Sequence, residues 1–224
     1  MLQSCHSPTE RIEGYEVHGI DVSRHQHIVD WDTVAAQPID FVFMKATEGE
    51  ELVDTHFDYN WSATKQKGLK RGAYHFFHPT LSALRQANNF IKTVPLEYGD
   101  LPPVVDFEVI NGASNKQVIE RLQTWLSIIE RHYQVRPIIY TNQNLYKKYI
   151  ADHFGDHIIW MARYSKEVPS MLYEQDWHFW QYGNRGIVKG IEGDVDLNVF
   201  SGNHIELERI CLSPSAAFSV TSEE

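Results

Sequence analysis

Short apolar runs recur along the chain and alternate with polar stretches, a pattern typical of buried strands joined by surface elements. Most runs are rich in β-branched and aromatic residues, and several are continuously apolar, as in strands that are buried on both faces. The predicted strands are His18–Ser23, Phe41–Thr47, Gly72–Phe77, Val104–Val109, Pro137–Thr141, Ile158–Tyr164, His178–Tyr182 and Val195–Phe200.

Helical spacing of apolar residues fills the early gaps between these runs. The clearest helix covers residues 115–133, where Ser114 and Gln117 form a capping-box motif and an apolar stripe follows. We assign Trp125, which lies on this stripe, to the core. Further helices are predicted at 55–69, 81–93 and 143–151, with a short helical turn at 31–36. The gaps between residues 164 and 195 are weaker in helical signal.

Alternating strands and helices predict a parallel sheet, and the number of strands predicts closure into a TIM-like α/β barrel. Because the helical signal weakens late in the chain, we expect an incomplete outer ring of helices. We expect an N-terminal tail over residues 1–16, a barrel domain that carries the chemistry over 17–205, and a C-terminal tail over 206–224.

Charge and length narrow the classes of partner. The net charge of −10 repels phosphate backbones, so nucleic acid is not expected as a partner. A chain of 224 residues buries enough surface to fold without disulfide or metal staples. No run approaches the roughly 20 apolar residues that a membrane span needs. We expect the protein to be a monomer.

The two cysteines lie near the ends of the sequence. Cys5 and Cys211 could form a bridge, because chain ends meet in a closed barrel, or remain two free thiols. The segment Leu2-Gln3-Ser4-Cys5 is similar to the cleavage box of bacterial lipoproteins, in which the cysteine carries the lipid. The sequence therefore predicts export, with anchoring through Cys5 as one option.

Functional side chains of a barrel enzyme sit at the carboxyl ends of its strands. Polar and aromatic side chains occupy these positions here, or lie on the strands that lead to them. They are Asp21, Lys45 to Glu48, Tyr74, Asp106, Glu108, Tyr140, Trp160 and Gln181, while Asp196 lies early in its strand. Ionisable groups at the rim of apolar strands are costly to bury, so we interpret them as functional.

The sharpest feature is Asp106-Phe107-Glu108 at the end of an apolar run. Residues two apart on a strand face the same side, about 6.5 Å apart at Cα. Two carboxyl groups so close cannot both ionise freely, and a protonated acid beside an ionised partner suits glycosidic cleavage. The triplet alone is common by chance, so its weight comes from the strand context and the other acids at the rim.

Other constellations point to structure rather than chemistry. The histidines His18, His25 and His27, and the pair His75 and His78, lack metal-ligand spacing and cysteine partners, so no metal site is predicted. The sequence contains neither a Gly-x-x-x-x-Gly-Lys phosphate loop nor a Gly-x-Ser-x-Gly nucleophile elbow. No cofactor is implied.

Six motifs together resemble one known family. They are His18-Gly19-Ile20-Asp21-Val22-Ser23, Lys45-Ala46-Thr47-Glu48-Gly49, Gly72-Ala73-Tyr74-His75-Phe76, Asp106-Phe107-Glu108, Trp180-Gln181-Tyr182 and Val195-Asp196-Leu197-Asn198. In this order they resemble the family-25 glycoside hydrolases, the Chalaropsis-type lysozymes, over residues 18–202. The resemblance implies a (β/α)5(β)3 barrel and β-1,4-N-acetylmuramidase activity on bacterial peptidoglycan.

The resemblance also implies roles for single residues. Glu108 matches the general acid, Asp106 its partner carboxylate, and Asp21 and Asp196 the further acids of the cleft. The substrate-binding positions implied are Tyr74, Tyr140, Trp160 and Gln181. The chain departs from the family pattern at Asp194, an extra acid before Val195-Asp196.

Two mechanisms and two other functions stay open at this point. In one mechanism the acetamido oxygen of the substrate attacks while Glu108 protonates the leaving oxygen; in the other, Asp196 or Asp21 activates water and the anomeric configuration inverts. The other functions are a non-catalytic peptidoglycan-binding module on the same fold and a related barrel hydrolase acting on chitin-like N-acetylglucosamine polymers.

Overall fold

The computed structural model describes residues 10–172 and 177–213, and eight of its strands close into a barrel. The strands are β1 Val17–Val22, β2 Phe41–Glu48, β3 Leu52–Val53, β4 Lys70–Phe76, β5 Val104–Phe107, β6 Ile138–Asn142, β7 Ile159–Ala162, β8 Phe179–Gly186 and β9 Val195–Phe200. The sheet order is β1-β9-β8-β7-β6-β5-β4-β2, and pairing of β1 with β2 closes it. The short β3 pairs with β2 outside this ring. The predicted α/β barrel is confirmed.

One strand runs against the others. Neighbouring barrel strands are parallel except that β9 is antiparallel to both β8 and β1, whereas the sequence predicted a parallel sheet. The connection from β8 to β9 covers only residues 187–194, and a parallel crossover needs about a dozen residues or more. The reversal places Asp196, at the start of β9, on the rim where the parallel strands end.

Among the described residues, five helices cover the outside of the barrel between its early strands, and a sixth follows the last strand. They are α1 Trp31–Ala35, α2 Phe57–Gln66, α3 Ala83–Thr93, α4 Asn115–Tyr133, α5 Gln143–Leu145 with a wider continuation Tyr146–Ile150, and α6 His204–Ile210. The Ser114–Gln117 capping box forms at the start of α4. Trp125 on α4 is fully buried and packs on Phe90 and His75, which confirms its assignment to the core.

The ends of the described chain pack against the barrel. Tyr15 lies with its ring centroid 5.7 Å from that of Trp177. The unpredicted helix α6 runs across the domain boundary expected at residue 205, and its Leu207 is buried. Cys211 is buried, and its thiol donates a hydrogen bond to the carbonyl of Leu207 (3.3 Å). Cys5, for which a bridge, a free thiol or a lipid was expected, lies outside the described residues. Within the described ranges, every helix is too short or too polar to cross a membrane.

Aromatic rings fill the barrel interior below the rim. Phe43 stacks on Trp160 with ring centroids 4.4 Å apart, and Phe41 and Phe43 both pack edge-on against Phe179. Gly19 makes room for this packing, because a Cβ atom there would lie 2.4 Å from the ring of Phe41. The rings close the barrel from below, so polar groups at the upper rim are desolvated on that side.

Candidate active site

All eight residues predicted for the site line a single cleft of about 490 Å³ at the rim. They are Asp21, Tyr74, Asp106, Glu108, Tyr140, Trp160, Gln181 and Asp196. They come from six parallel strands or the residues just after them, and from the start of the antiparallel β9. Residues far apart in the sequence are therefore brought to one end of the barrel.

Asp106 and Glu108 occupy different environments in the cleft. Asp106 is the third residue of β5 and is 6% exposed, and its Oδ1 atom is buried without a hydrogen-bond partner. β5 ends at Phe107, earlier than predicted, so Glu108 follows the strand and is solvent-exposed. Phe107 points the other way and packs against Tyr149. The two carboxylates share the cleft, and the inner one is held by the barrel wall.

Desolvation by the surrounding cleft raises the pKa of both carboxyl groups, although the Glu108 side chain still reaches solvent. For Asp106 the pKa lies well above its usual range, through desolvation and the nearby charge of Glu108, and Lys45 opposes the shift. Desolvation also raises the pKa of Glu108, and the charge of Lys45 offsets part of this rise. Because Asp106 is more deeply buried, it holds a shared proton more strongly than Glu108 when the cleft contains no substrate.

Asp21 and Asp196 form a second acidic pair. They are direct partners across the antiparallel β1–β9 ladder, and their carboxyl groups are hydrogen-bonded to each other. Burial and the charge of Asp21 raise the pKa of Asp196, and burial also raises that of Asp21. Two adjacent carboxyl groups in this setting share one proton near neutral pH.

Amide side chains fix the buried member of this pair. Asp21 Oδ2 accepts hydrogen bonds from Gln181 Nε2 (2.9 Å) and from Asn198 Nδ2 (2.7 Å). Gln181 Oε1 in turn accepts hydrogen bonds from the hydroxyl groups of Tyr140 (2.9 Å) and Tyr164 (3.0 Å). These hydrogen bonds fix the orientation of the Gln181 amide, and with it the positions of both tyrosine hydroxyls and of the Asp21 carboxylate.

Lys45 is the cation of the cleft wall. Its Nζ donates to Glu48 Oε2 (2.7 Å) and lies 4.8 Å from the centroid of the Phe76 ring. Glu48 Oε1 lies 3.2 Å from His78 Nε2. The ammonium group is thus held beside Asp106 and Glu108, whose pKa values it lowers.

The aromatic residues predicted to bind substrate differ in access. Trp160 is only 2% exposed, and its Nε1 donates to Asn198 Oδ1 (2.8 Å), so its ring forms the floor of the cleft. Tyr74 is half-buried, and desolvation with the nearby Asp21 and Asp106 raises its pKa well above the usual value. Its hydroxyl therefore remains a neutral hydrogen-bond donor.

Sequence reasoning gave no individual role to three residues of this network: Lys45 and Tyr164 on the cleft wall and Asn198 beneath the cleft. A signal existed for Asn198, because it lies two residues after Asp196 on β9 and so faces the same side. Tyr164 ended a predicted strand, and Lys45 was noted at a strand end but given no role. The extra acid Asp194 also lines the cleft, and its carboxylate lies 3.6 Å from Arg185.

Comparison with known proteins places this site in a family. The model of Glycosyl hydrolases family 25 matches residues 20–191. YegX of Escherichia coli K12 is 42% identical over 202 residues, covering 87% of this chain and 73% of YegX. Lysozyme M1 of Streptomyces globisporus is 31% identical over 209 residues, covering 85% and 70% of the two chains. The structure of a family 25 glycosyl hydrolase from Bacillus anthracis superposes with a TM-score of 0.87 at 36% identity, covering 94% of this chain and all of that chain. This chain belongs to family 25 of the glycosyl hydrolases.

Proposed function

We propose that the protein is a lysozyme, a β-1,4-N-acetylmuramidase that hydrolyses the glycan strands of peptidoglycan. The observation that carries the proposal is the Asp106–Glu108 pair, one carboxyl buried and one exposed in a cleft floored by aromatic rings. Two carboxyl groups in unequal environments supply the acid and the anion that glycosidic cleavage requires. The similarity to Lysozyme M1 supports the choice of substrate.

Glu108 is the group we assign to proton transfer. Its exposed side chain reaches the open part of the cleft, where the leaving oxygen of a bound strand would lie. Glu108 gives its proton to that oxygen as the glycosidic bond breaks, and then takes a proton from the attacking water. A raised pKa, caused by desolvation, keeps the acid protonated closer to neutral pH.

Asp106 is the group we assign to the substrate's acetamido function. Its carboxyl group lines the cleft, so an acetamido N–H of a bound strand can donate to it. Such a bond stabilises the anion and lowers the pKa of Asp106, which moves the shared proton to Glu108 when substrate binds. The acetamido oxygen then attacks C1 while the leaving oxygen takes the proton of Glu108. Water later attacks C1 and restores the acetamido group, so configuration is retained.

The competing mechanism uses Asp196 or Asp21 as the base for direct attack by water. That route inverts the configuration at C1. Both carboxyl groups are hydrogen-bonded to each other, and Asp21 also accepts two amide N–H groups, which favours the assisted route. The anomer of the first product distinguishes them, and an inverted product would reject the role given to the acetamido group.

The decisive experiment digests purified peptidoglycan and identifies the new reducing ends by mass spectrometry. We expect muramic-acid ends from the wild type and a loss of roughly 10²–10⁴ in rate for Glu108→Gln, because general-acid catalysis is removed. Glu120→Gln is the matched control, since Glu120 is exposed on the outer face of α4.

Each of the other outcomes favours a different function. Glucosamine reducing ends would indicate the hydrolase of chitin-like polymers. Wall binding without release by the wild type would indicate a binding module. Equal release by the wild type and Glu108→Gln would refute the assignment of Glu108.

Peptidoglycan lies outside the cytoplasmic membrane, so the proposed activity requires export to the envelope or beyond. Anchoring through a lipid on Cys5 and a monomeric state belong to the same proposal.

A further inference from the structure

Asn198 is a fully buried amide that has no contact with the space of the cleft. It lies on β9 opposite Gly19 of β1 and Gln181 of β8. Its Nδ2 atom donates to Asp21 Oδ2 at 2.7 Å, and Gln181 Nε2 donates to the same oxygen at 2.9 Å. An oxygen that accepts two N–H donors is best satisfied when it carries the negative charge.

The orientation of the Asn198 amide follows from its other partner. Trp160 Nε1 lies 2.8 Å from Asn198 Oδ1. An indole nitrogen can only donate, so the oxygen of the amide must face Trp160 and its NH₂ group must face Asp21. The buried indole therefore prevents Asn198 from flipping and offering an acceptor to the carboxyl group.

Asp196 completes the arrangement from the same strand. Asn198 and Asp196 are two residues apart on β9, so both face the barrel interior, and Asp196 is hydrogen-bonded to Asp21. One of the two carboxyl groups keeps a proton, because neighbouring buried charges of like sign repel. The amide groups of Gln181 and Asn198 donate to Asp21, so they stabilise the negative charge when it is on Asp21.

We propose that Asn198 is a positioning residue that holds Asp21 as the buried anion and thereby assigns the single proton of the pair to Asp196. Asp196 then donates its single O–H group to the Asp21 carboxylate and has no capacity to act as the base for water. The functional consequence rests on the proposed muramidase activity, whereas the location of the proton does not.

Other ionisable groups also face the pair, and their influence has to be separated from that of Asn198. They are Lys45 on β2, Tyr74 on β4, Asp106 on β5, Glu108 after β5, Tyr140 on β6, Tyr164 after β7 and Asp194 before β9.

The first test is a ¹³C carboxyl NMR titration of the wild type and Asn198→Ala, with Asp21→Asn and Asp196→Asn to assign the signals. We expect the lower titration step of the pair to move up by about one pH unit in Asn198→Ala, the equivalent of one hydrogen bond to a charged group. Asn184→Ala is the control, because Asn184 is an exposed amide of the same cleft. A folded Asn198→Ala whose lower step stays at the wild-type pH would overturn the proposal.

A second measurement does not need Asn198 to be replaced. We expect Asp21→Asn to lower kcat/KM on soluble glycan fragments at least about tenfold more than Asp196→Asn. Only Asp21→Asn removes a negative charge, the one that accepts the N–H groups of Gln181 and Asn198. Equal losses, or a larger loss for Asp196→Asn, would also overturn it. A wild type that releases no reducing ends, together with the expected titration shift, would refute the muramidase function and leave the proton assignment standing.

Discussion

Arg71→Met should destabilise the protein strongly, because Arg71 belongs to a buried ion pair. Its Nε and Nη2 atoms lie 2.7 and 3.1 Å from the two carboxylate oxygens of Asp100, and the side chains are 3% and 8% exposed. Its Nη1 atom also donates to the carbonyl of Trp61 (2.6 Å), and the guanidinium lies 3.9 Å from the centroid of that ring. The pair joins the start of β4 to the lead-in of β5.

The size of the effect follows from what Arg71→Met leaves behind. Burial raises the pKa of Asp100 even with Arg71 present. Without the arginine, the interior keeps a carboxyl group that has no buried counter-charge and accepts one hydrogen bond from the backbone N–H of Glu97 (2.8 Å). Removing one partner of a buried pair costs about 3–5 kcal/mol. At about 2–4 °C per kcal/mol for a domain of this size, Tm should fall by roughly 6–20 °C.

The pH dependence of this loss has a definite sign. An acid whose pKa is raised by folding destabilises the protein at pH above its folded value, and the penalty disappears below the unfolded value of about 3.9. The cost of Arg71→Met should therefore be larger at pH 7 than at pH 4 and shrink as the pH falls between these values. The assay is urea unfolding of the wild type, Arg71→Met, Asp100→Asn and the double variant. The double variant should cost less than the sum of the singles, and additivity within about 0.5 kcal/mol would refute the reasoning.

Two further predictions concern pH. Lys45→Met removes the charge that lowers the pKa of Asp106 and Glu108, so the kcat/KM profile should shift to higher pH, while Lys45→Arg should not shift it; identical profiles for both variants would contradict this role. Hydrogen bonds to the carboxylates of Asp40 and Glu16 raise the pKa of His204. The contribution of this histidine to stability is therefore present below about pH 6.5 and is lost as the pH rises through the folded pKa. The Tm difference between wild type and His204→Gln should accordingly shrink from pH 5 to 9, and a constant difference would count against it.

The parts that the sequence predicted well depend on local patterns. The apolar runs located the eight barrel strands, and the spacing of apolar residues with the Ser114 cap located α4. The two-residue alternation along β5 brought Asp106 and Glu108 into one cleft, although β5 ends before Glu108. Strand propensity and helical caps act over a few residues, so a single sequence displays them directly.

The parts that were missed depend on contacts between distant residues. Asn198 lies 177 positions from Asp21 and 38 from Trp160, and no local pattern states that these side chains meet. The direction of β9 was mispredicted because the strand pattern does not encode orientation, although the short connection before it did. The helix α6 carried an Asn203–Glu206 capping signal, but its few apolar residues resembled a polar tail.

The reversal of β9 also decides in which direction the polypeptide leaves the barrel. In an all-parallel barrel the last strand would end beside the cleft. Here Phe200, the last residue of β9, pairs with Val17, the first residue of β1. Leu207 of α6 belongs to the same hydrophobic cluster as these two residues. Leu212, whose backbone pairs with Asp100 ahead of β5, therefore lies on the face opposite the carboxylates, and a tether joined at this end of the described residues would start from that face. Immobilised by that end, the enzyme would present an unobstructed cleft to a substrate too large and insoluble to diffuse around it.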